Sequence, residues 1–279
     1  MTYLRYQQLK PEDFKRLCGF HHQTFARMVA VLEELFEQQK KKPGRPSKFS
    51  LEDQVLMSLE YWREYRTYFH IGQAWELHES TIARIVRKVE TALMQAGIFQ
   101  LPGKKQLLDP EATAKLVVID ATETPVERPK KGQKRFYSGK KKRHTFKTQL
   151  VVDPQTKAVL CTTFATGKEH DFRLYKRSKV KFKQETKCLA DRGYQGIQKL
   201  HANSRLHKKK RRGAQLSQAD LQMNRDIERV RCICEHIIGR LKVFRILAEK
   251  YRNRRKRFGL RFNLIAGLYN YELGLSKPS

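Results

Sequence analysis

Cysteine is scarce in this chain. The five present, Cys18, Cys161, Cys188, Cys232 and Cys234, are too few and too scattered for a disulfide framework. Cys232-Ile-Cys234-Glu-His236 has no CxxC partner, and residues two apart on a helix point in different directions, so these cysteines read as buried free thiols rather than a zinc site. No apolar run approaches the roughly 20 residues that span a bilayer. The opening Met1-Thr-Tyr-Leu-Arg-Tyr6 lacks the apolar stretch of a signal peptide, and internal repeats are absent. A soluble, intracellular protein with no membrane segment is therefore expected. Carboxylates are also in short supply, with 28 Asp and Glu against 59 Lys and Arg, a net charge of +31 and a pI near 10.1. Such a charge repels itself and calls for a polyanion. Nucleic acid is the default partner. An anionic membrane surface is the competitor, but the basic runs are not arranged as an amphipathic helix.

What the chain does have is 39% hydrophobic residues, enough for a packed core, and an uneven distribution of charge. Residues 1–103 carry 15 Lys and Arg against 12 Asp and Glu, a net of +3, whereas residues 104–279 carry 44 against 16, a net of +28. A Pro-Gly break at Gln100-Leu-Pro102-Gly103 lies at this change. Two domains are expected, 1–103 and 104–279.

In the first domain, Phe25, Met28, Val29, Leu32, Leu35 and Phe36 fall three and four apart, on a helix that follows a break at Gly19, with Thr24 as candidate N-cap. The segment 40–48, Lys-Lys-Lys-Pro-Gly-Arg45-Pro-Ser-Lys, cannot be helix. Its Gly-Arg-Pro core resembles an AT-hook, an arm in which Arg45 would read the A·T minor groove; a basic linker is the other reading. Ser50-Leu-Glu-Asp53 has the form of a capping box and opens a helix to about Tyr65. Then come Tyr68 to Leu77, a break at His78-Glu79, and a second helix from Ser80 to Val89. Ser80 is its expected cap, and Ile82, Ile85, Val86 and Val89 face inward. Ser80, Thr81, Arg84 and Lys88 are left outward, as in a helix-turn-helix whose second helix enters the major groove of DNA. An ordinary helical hairpin with a solvated face is the alternative.

In the second domain, Val117-Val-Ile119 reads as a strand buried on both faces and ending on Asp120. An unpaired buried carboxylate is costly, so Asp120 sits at an exposed strand end or is held there for chemistry. The run from Lys130 to Arg143, with Lys140, Lys141, Lys142 and Arg143 at its close, contains no carboxylate. It reads as a surface that tracks a phosphate backbone. His144 to Val152 alternates as a strand, Asp153-Pro-Gln-Thr156 has turn chemistry, and Ala158 to Phe164 returns. His170-Asp171 caps a helix through Tyr175. Lys187 to Ala190 is a further strand, ending on Asp191, and the Arg192–Gly196 turn leads into helix. From Ser217 the pattern is helical to about Leu275. At roughly 100° per residue, Val230, Cys234, Ile237, Leu241 and Phe244 share an apolar stripe. Arg231, Glu235 and Lys242 line its edge, like the rim of a site.

Two strand-end aspartates and a helix glutamate are hard oxygen donors suited to Mg²⁺. Two such ions roughly 3.5–4 Å apart clamp the attacking and leaving oxygens of an in-line phosphoryl displacement. Three blocks, Val118-Ile-Asp120-Ala-Thr, Leu189-Ala-Asp191-Arg-Gly-Tyr194, and Arg231, Glu235 and Lys242 in their spacing, resemble the catalytic blocks of DDE transposases. The match is closest to the insertion-sequence five family, related to Harbinger elements. Gly167-Lys-Glu-His-Asp171 resembles a further family block, and Ser50 to Val89 resembles the helix-turn-helix that precedes such catalytic domains. Where the family often has Tyr, three residues before the Arg, this chain has Glu228.

The resemblance implies an α/β protein: an RNase H-like mixed-sheet catalytic domain preceded by an all-α helix-turn-helix domain. Asp120 and Asp191 would lie at the ends of adjacent strands. With Glu235 they would be the catalytic residues, holding two Mg²⁺ ions with Mn²⁺ as a substitute, while Arg231 and Lys242 contact DNA phosphate beside them. The implied activity is that of a transposase, an endonuclease and strand transferase. It binds the terminal inverted repeats of its insertion sequence, frees 3′-OH ends and joins them to target DNA. The implied partners are double-stranded DNA, at element ends and target, and further copies of the chain, at least a dimer on paired ends. The implied place is the bacterial cytoplasm, on the nucleoid. A catalytically silent transposase-derived DNA-binding protein, and a nuclease of the same fold without strand transfer, stay open as alternatives.

Overall fold

The computed structural model describes residues 3–39, 47–110, 114–208, 215–253 and 256–275. The helices in chain order are α1 (Tyr3–Gln7), α2 (Pro11–Cys18), α3 (His22–Gln39), α4 (Leu51–Arg63), α5 (Tyr68–Trp75), α6 (Glu79–Gln95), α7 (Gln133–Phe136), α8 (Asp171–Ser178), α9 (Gln218–Lys242), α10 (Arg245–Ala248) and α11 (Phe258–Leu275). The strands are β1 (Leu116–Pro125), β2 (Tyr137–Ser138), β3 (Arg143–Val152), β4 (Val159–Thr166), β5 (Lys187–Ala190) and β6 (Ser204–Leu206). Two compact units result. One gathers the described residues up to Gln100 with Leu241–Glu249 and those from Arg257 onward; the other gathers those from Leu101 to Arg240 with the described part of 250–256. The C-terminal helices therefore pack with the N-terminal ones, a different division from a single cut at 103. The reason is apolar surface: α11 buries Phe258, Phe262, Leu264, Ile265, Ala266, Leu268 and Tyr269, a load that a helical surround can cover. Hydropathy shows that such a helix is buried but not where.

In the helical unit, α2 stops at Gly19, whose left-handed φ of 88° lets its N–H reach the Lys15 carbonyl. Thr24 does not cap α3. It lies inside the helix, fully buried, and the cap comes from α11, where Glu272 Oε1 accepts from the His21 N–H at 2.6 Å and the Thr24 hydroxyl at 3.1 Å. A carboxylate at a helix N-terminus satisfies free donors and faces the positive end of the dipole. The Ser50 cap is present, its hydroxyl accepting from the Asp53 N–H at 3.2 Å. Ser50→Ala is expected to cost about 1 kcal/mol, read as a lower denaturant midpoint with an unchanged slope.

The other unit is built on a mixed sheet in which β3 lies between β4 and β1, with β5 and β6 following on the far side of β1. The β4-β3-β1 pairings are antiparallel, and the β1-β5-β6 pairings are parallel. This is the RNase H-like arrangement. The β3–β4 hairpin turns on Asp153, whose carboxylate accepts from the Gln155 N–H at 2.9 Å and the Thr156 hydroxyl at 2.8 Å. One face of the sheet packs Val117, Ile119, Val151, Cys188 and Ala190 against Tyr175, Phe182, Tyr194 and Ile197. The expected unbroken helix to Leu275 is interrupted after Lys242, and Phe244 stands off the helix. The chain returns at Tyr251, which is buried and donates its N–H to the Pro125 carbonyl at 2.8 Å.

Candidate active site

The register of β1 decides the position of Asp120. β1 pairs with β3 from Val118↔Val152 to Pro125↔Thr145, but with β5 only from Leu116↔Lys187 to Ile119↔Ala190. Asp120 is therefore not at the end of its strand. It stands inside β1 at the point where the parallel neighbour stops. The next residue of that neighbour is Asp191, which leads into the Arg192–Tyr194 turn, its carbonyl accepting from the Tyr194 N–H at 2.9 Å. Parallel pairing thus puts the two aspartates side by side, and strand alternation turns Asp120 to the face opposite Val117 and Ile119.

Arg231 of α9 enters this face, 7% exposed. Its Nη2 lies 3.7 Å from Asp120 Oδ2 and its Nη1 3.5 Å from Asp191 Oδ1. The distances are those of ion pairs, longer than hydrogen bonds. The buried Nε has no hydrogen-bond partner. Asp120 Oδ1 accepts from the Ala121 N–H at 2.8 Å. Burial pushes the Asp120 carboxyl up to about 6; the Ala121 N–H and Arg231 pull it back, while Asp191 and Glu235 push it further. Glu235 is exposed one turn beyond Arg231 and acts on Asp120 through its charge. Cys234, between them in sequence, is buried and its thiol pushed up by that burial, consistent with an inert free cysteine.

Two neighbours were missed by sequence reasoning. Glu228 Oε2 lies 3.5 Å from Arg231 Nη1 and 2.9 Å from His207 Nε2. The i, i+3 spacing of Glu228 and Arg231 was a usable signal; His207 gave none.

The donor set suits a hard divalent cation. Three carboxylates, of Asp120, Asp191 and Glu228, lie 3.5–3.7 Å from the Arg231 guanidinium, and Glu235 adds its charge to the field at Asp120. Among the described residues no three His, Cys, Asp or Glu side chains converge as a ready-made metal centre. Arg231 lies between the two aspartates and offsets their mutual repulsion.

In the helical unit, α5 ends on Glu76 in the left-handed region, and Gly72 passes so close to the Leu77 carbonyl that any side chain there would collide. His78 rather than Ser80 caps α6. Its Nδ1 accepts from the Ser80 N–H at 3.3 Å, so the helix begins one residue earlier than expected. Ile82, Val86 and Val89 are buried, Ile85 half so. Ser80, Arg84 and Lys88 are exposed and Thr81 is half-buried. Arg84 Nη2 reaches the Thr81 hydroxyl at 3.3 Å, and Lys88 Nζ stands 4.2 Å above the Phe36 ring, its pKa lowered by burial. Lys140, Lys141, Lys142 and Arg143 are all exposed, the lysines on the turn between β2 and β3 and Arg143 at the start of β3. Lys242 is half-buried at the end of α9, and Arg45 lies outside the described residues.

A mixed sheet of this order, with two aspartates side by side where its parallel strands part, is RNase H-like, and α5 and α6 form a helix-turn-helix. Residues 119–270 match the family model of the DDE superfamily endonuclease, and residues 47–97 match the helix-turn-helix of DDE superfamily endonuclease. The chain belongs to the DDE superfamily of endonucleases, and its relatives are transposases. It is 52% identical over 269 residues, 96% of this chain and 97% of the relative, to the probable transposase for insertion sequence element IS702 of Microchaete diplosiphon. It is 24% identical over 242 residues, 86% and 87% of the two chains, to the putative transposase for insertion sequence element IS112 of Streptomyces albus G. No described helix is long and apolar enough to cross a membrane.

Proposed function

We propose that the protein binds the terminal inverted repeats of its own element, nicks them to free 3′-OH ends and joins those ends to target DNA. The observation that carries this reading is the Ile119↔Ala190 register, which sets Asp120 and Asp191 side by side with Arg231 between them. In it, Asp120, Asp191 and Glu235 are the catalytic carboxylates. Two Mg²⁺ ions, replaceable by Mn²⁺, would supply neutralisation of phosphate oxygens and activation of water or a 3′-OH when bound there. Arg231 and Lys242 bind DNA phosphate next to the carboxylates, with Glu228 keeping Arg231 in place. Ser80, Thr81, Arg84 and Lys88 present α6 to the major groove. Arg45 takes the minor groove, while Lys140, Lys141, Lys142 and Arg143 follow the backbone. Two element ends held together require at least a dimer, working on the nucleoid.

The test is a labelled duplex carrying one element end, incubated with the protein in Mg²⁺ or in EDTA, wild type beside Asp191→Ala. Metal-dependent nicking at the element boundary that the variant lacks, with end binding intact, is the expected result. Binding without nicking, on single and paired ends alike, would point to a silent DNA-binding protein. Nicking with no product joined to a second duplex would point to a nuclease alone.

A further inference from the structure

A second set of charges lies on the sheet face opposite Asp120. Lys147 on β3 stands across from Glu123 on β1 and is 8% exposed. Its ammonium is 2.6 Å from Asp171 Oδ1, 2.7 Å from the Glu169 carbonyl oxygen and 3.8 Å from Glu123 Oε1. Glu123 Oε2 in turn accepts from the Thr145 hydroxyl at 2.7 Å. A buried ammonium between carboxylates is a poor stabiliser compared with apolar packing of the same volume, so its presence asks for a use other than stability.

Asp171 opens α8, and it touches the turn that follows Asp191. A Cβ at Gly193 would stand 2.5 Å from Asp171 Oδ2, and one at Gly196 would stand 2.9 Å from the Phe172 ring. Between these glycines Tyr194 is wholly buried, its ring edge-on to Tyr175 at 6.4 Å. The turn is thus moulded residue by residue on the first turn of α8: Gly193 on Asp171, Tyr194 into the core, Gly196 on Phe172. The Gly167–Asp171 block supplies the mould. Gly167 passes hard against Thr145 and donates its N–H to the Thr145 carbonyl at 2.9 Å. The Glu169 carboxylate pairs with Arg177 at 2.9 Å, and His170 caps α8.

We propose that Lys147 and Asp171 are a positioning pair, their ion pair holding the first turn of α8 against Gly193 and so fixing the direction in which Asp191 presents its carboxylate. The proposal rests on Asp191 being part of the active site, as argued above. It differs from a purely structural role in where the damage falls. Loss of the pair leaves the fold and DNA-end binding in place and loosens the metal-facing carboxylate.

Full-length Lys147→Met, Asp171→Asn and the double variant are to be compared with wild type by Mn²⁺ titration followed by electron paramagnetic resonance without DNA, by nicking rate, by end binding and by thermal unfolding. Each single variant is expected to lose about 10–100-fold in Mn²⁺ affinity and nicking rate, the range for a residue that orients a metal ligand. End binding should be unchanged, and the double variant no worse than the poorer single one, since both remove the same contact. Folded variants with wild-type Mn²⁺ affinity and nicking rate, or losses that add, overturn the proposal. Should either charge variant fail to fold, Gly193→Ala keeps every charge and presses a Cβ on Asp171; the same losses are expected there, and wild-type behaviour overturns the pairing. Asp191→Ala run alongside separates the two levels. If it too binds Mn²⁺ and nicks normally, the active-site reading fails. If it loses both while the other variants keep both, only the positioning pair fails.

Discussion

Asp120→Asn is expected to abolish nicking and, at pH 8 in EDTA, to make the DNA-free protein more stable than wild type. Both effects have one cause. Burial pushes the Asp120 carboxyl up to about 6, from the ordinary carboxylate value near 3.8, against the opposing pull of the Ala121 N–H and Arg231. The folded state therefore holds this proton more tightly than the unfolded state. The group costs nothing below about pH 4; the cost grows as pH rises through the interval between the two values and is complete above about pH 6. At about 1.4 kcal/mol per unit the full penalty is on the order of 2–3 kcal/mol. Asparagine keeps the size and removes the charge. The pull of Arg231, which keeps Asp191 and Glu228, is already contained in that shift, so the gain is on the order of 2–3 kcal/mol, a few degrees in Tm for a chain of this size. The gain should shrink to nothing when the comparison is repeated at pH 4. Added Mg²⁺ should then raise the Tm of wild type, by binding the folded form, and not that of the variant. Nicking should fall by about three orders of magnitude, the several kcal/mol that a charge clamp on phosphate oxygens contributes. A variant less stable than wild type at pH 8 would mean that Arg231 more than offsets the burial of Asp120, and that the site is closed by its own cation.

The parts of the fold that depend on near neighbours in sequence were legible. The apolar runs of β1 and β5, the Asp153 turn and the Ser50 cap each carry their physical reason within a few residues. So does the order of strand, hairpin and strand; the pairing of Asp120 with Asp191 and the place of Arg231 came only from the family resemblance, because they depend on segments far apart in the chain. What was hidden depends on partners far along the chain. Thr24 looked like a cap because a hydroxyl at a helix start commonly is one, yet the cap is Glu272, nearly the whole chain away. Asp120 looked like a strand end because the apolar run ends there; the antiparallel partner carries β1 five residues further. Lys147 read as one more alternating polar residue of a strand, and only the packing of β1 beside it and α8 against it gives it two carboxylates, Glu123 and Asp171. Glu228 stood in plain view as a departure from the family pattern, but a role for it needed His207 and Arg231 in space.

Glu90→Ala is expected to unfold much of the helical unit at moderate temperature. Glu90 lies on α6 with no solvent exposure. Its Oε1 accepts from Arg261 Nε at 2.6 Å and Trp62 Nε1 at 3.1 Å, and its Oε2 from Arg257 Nε at 2.7 Å. Arg261 is itself 2% exposed and stacks over the Tyr61 ring at 5.1 Å. Removing the carboxylate takes away the buried acceptor that Arg261 Nε, Arg257 Nε and Trp62 Nε1 share, at a cost of about 3–5 kcal/mol, a large part of the 5–15 kcal/mol that holds a typical domain. A fall in Tm on the order of 10 °C is expected by calorimetry, with α11 becoming open to protease. Element-end binding should fall in the same temperature range. The same helix turns Glu90 inward and Ser80, Arg84 and Lys88 outward, so the clamp on α11 also holds the candidate recognition surface. The pair is costly to break and not strongly stabilising in itself. Glu90→Leu combined with Arg261→Met, apolar residues that leave no stranded charge from that pair, should therefore recover most of the lost Tm. A double variant as unstable as Glu90→Ala would show instead that Arg257 and Trp62, both still facing position 90, carry the larger share of the clamp.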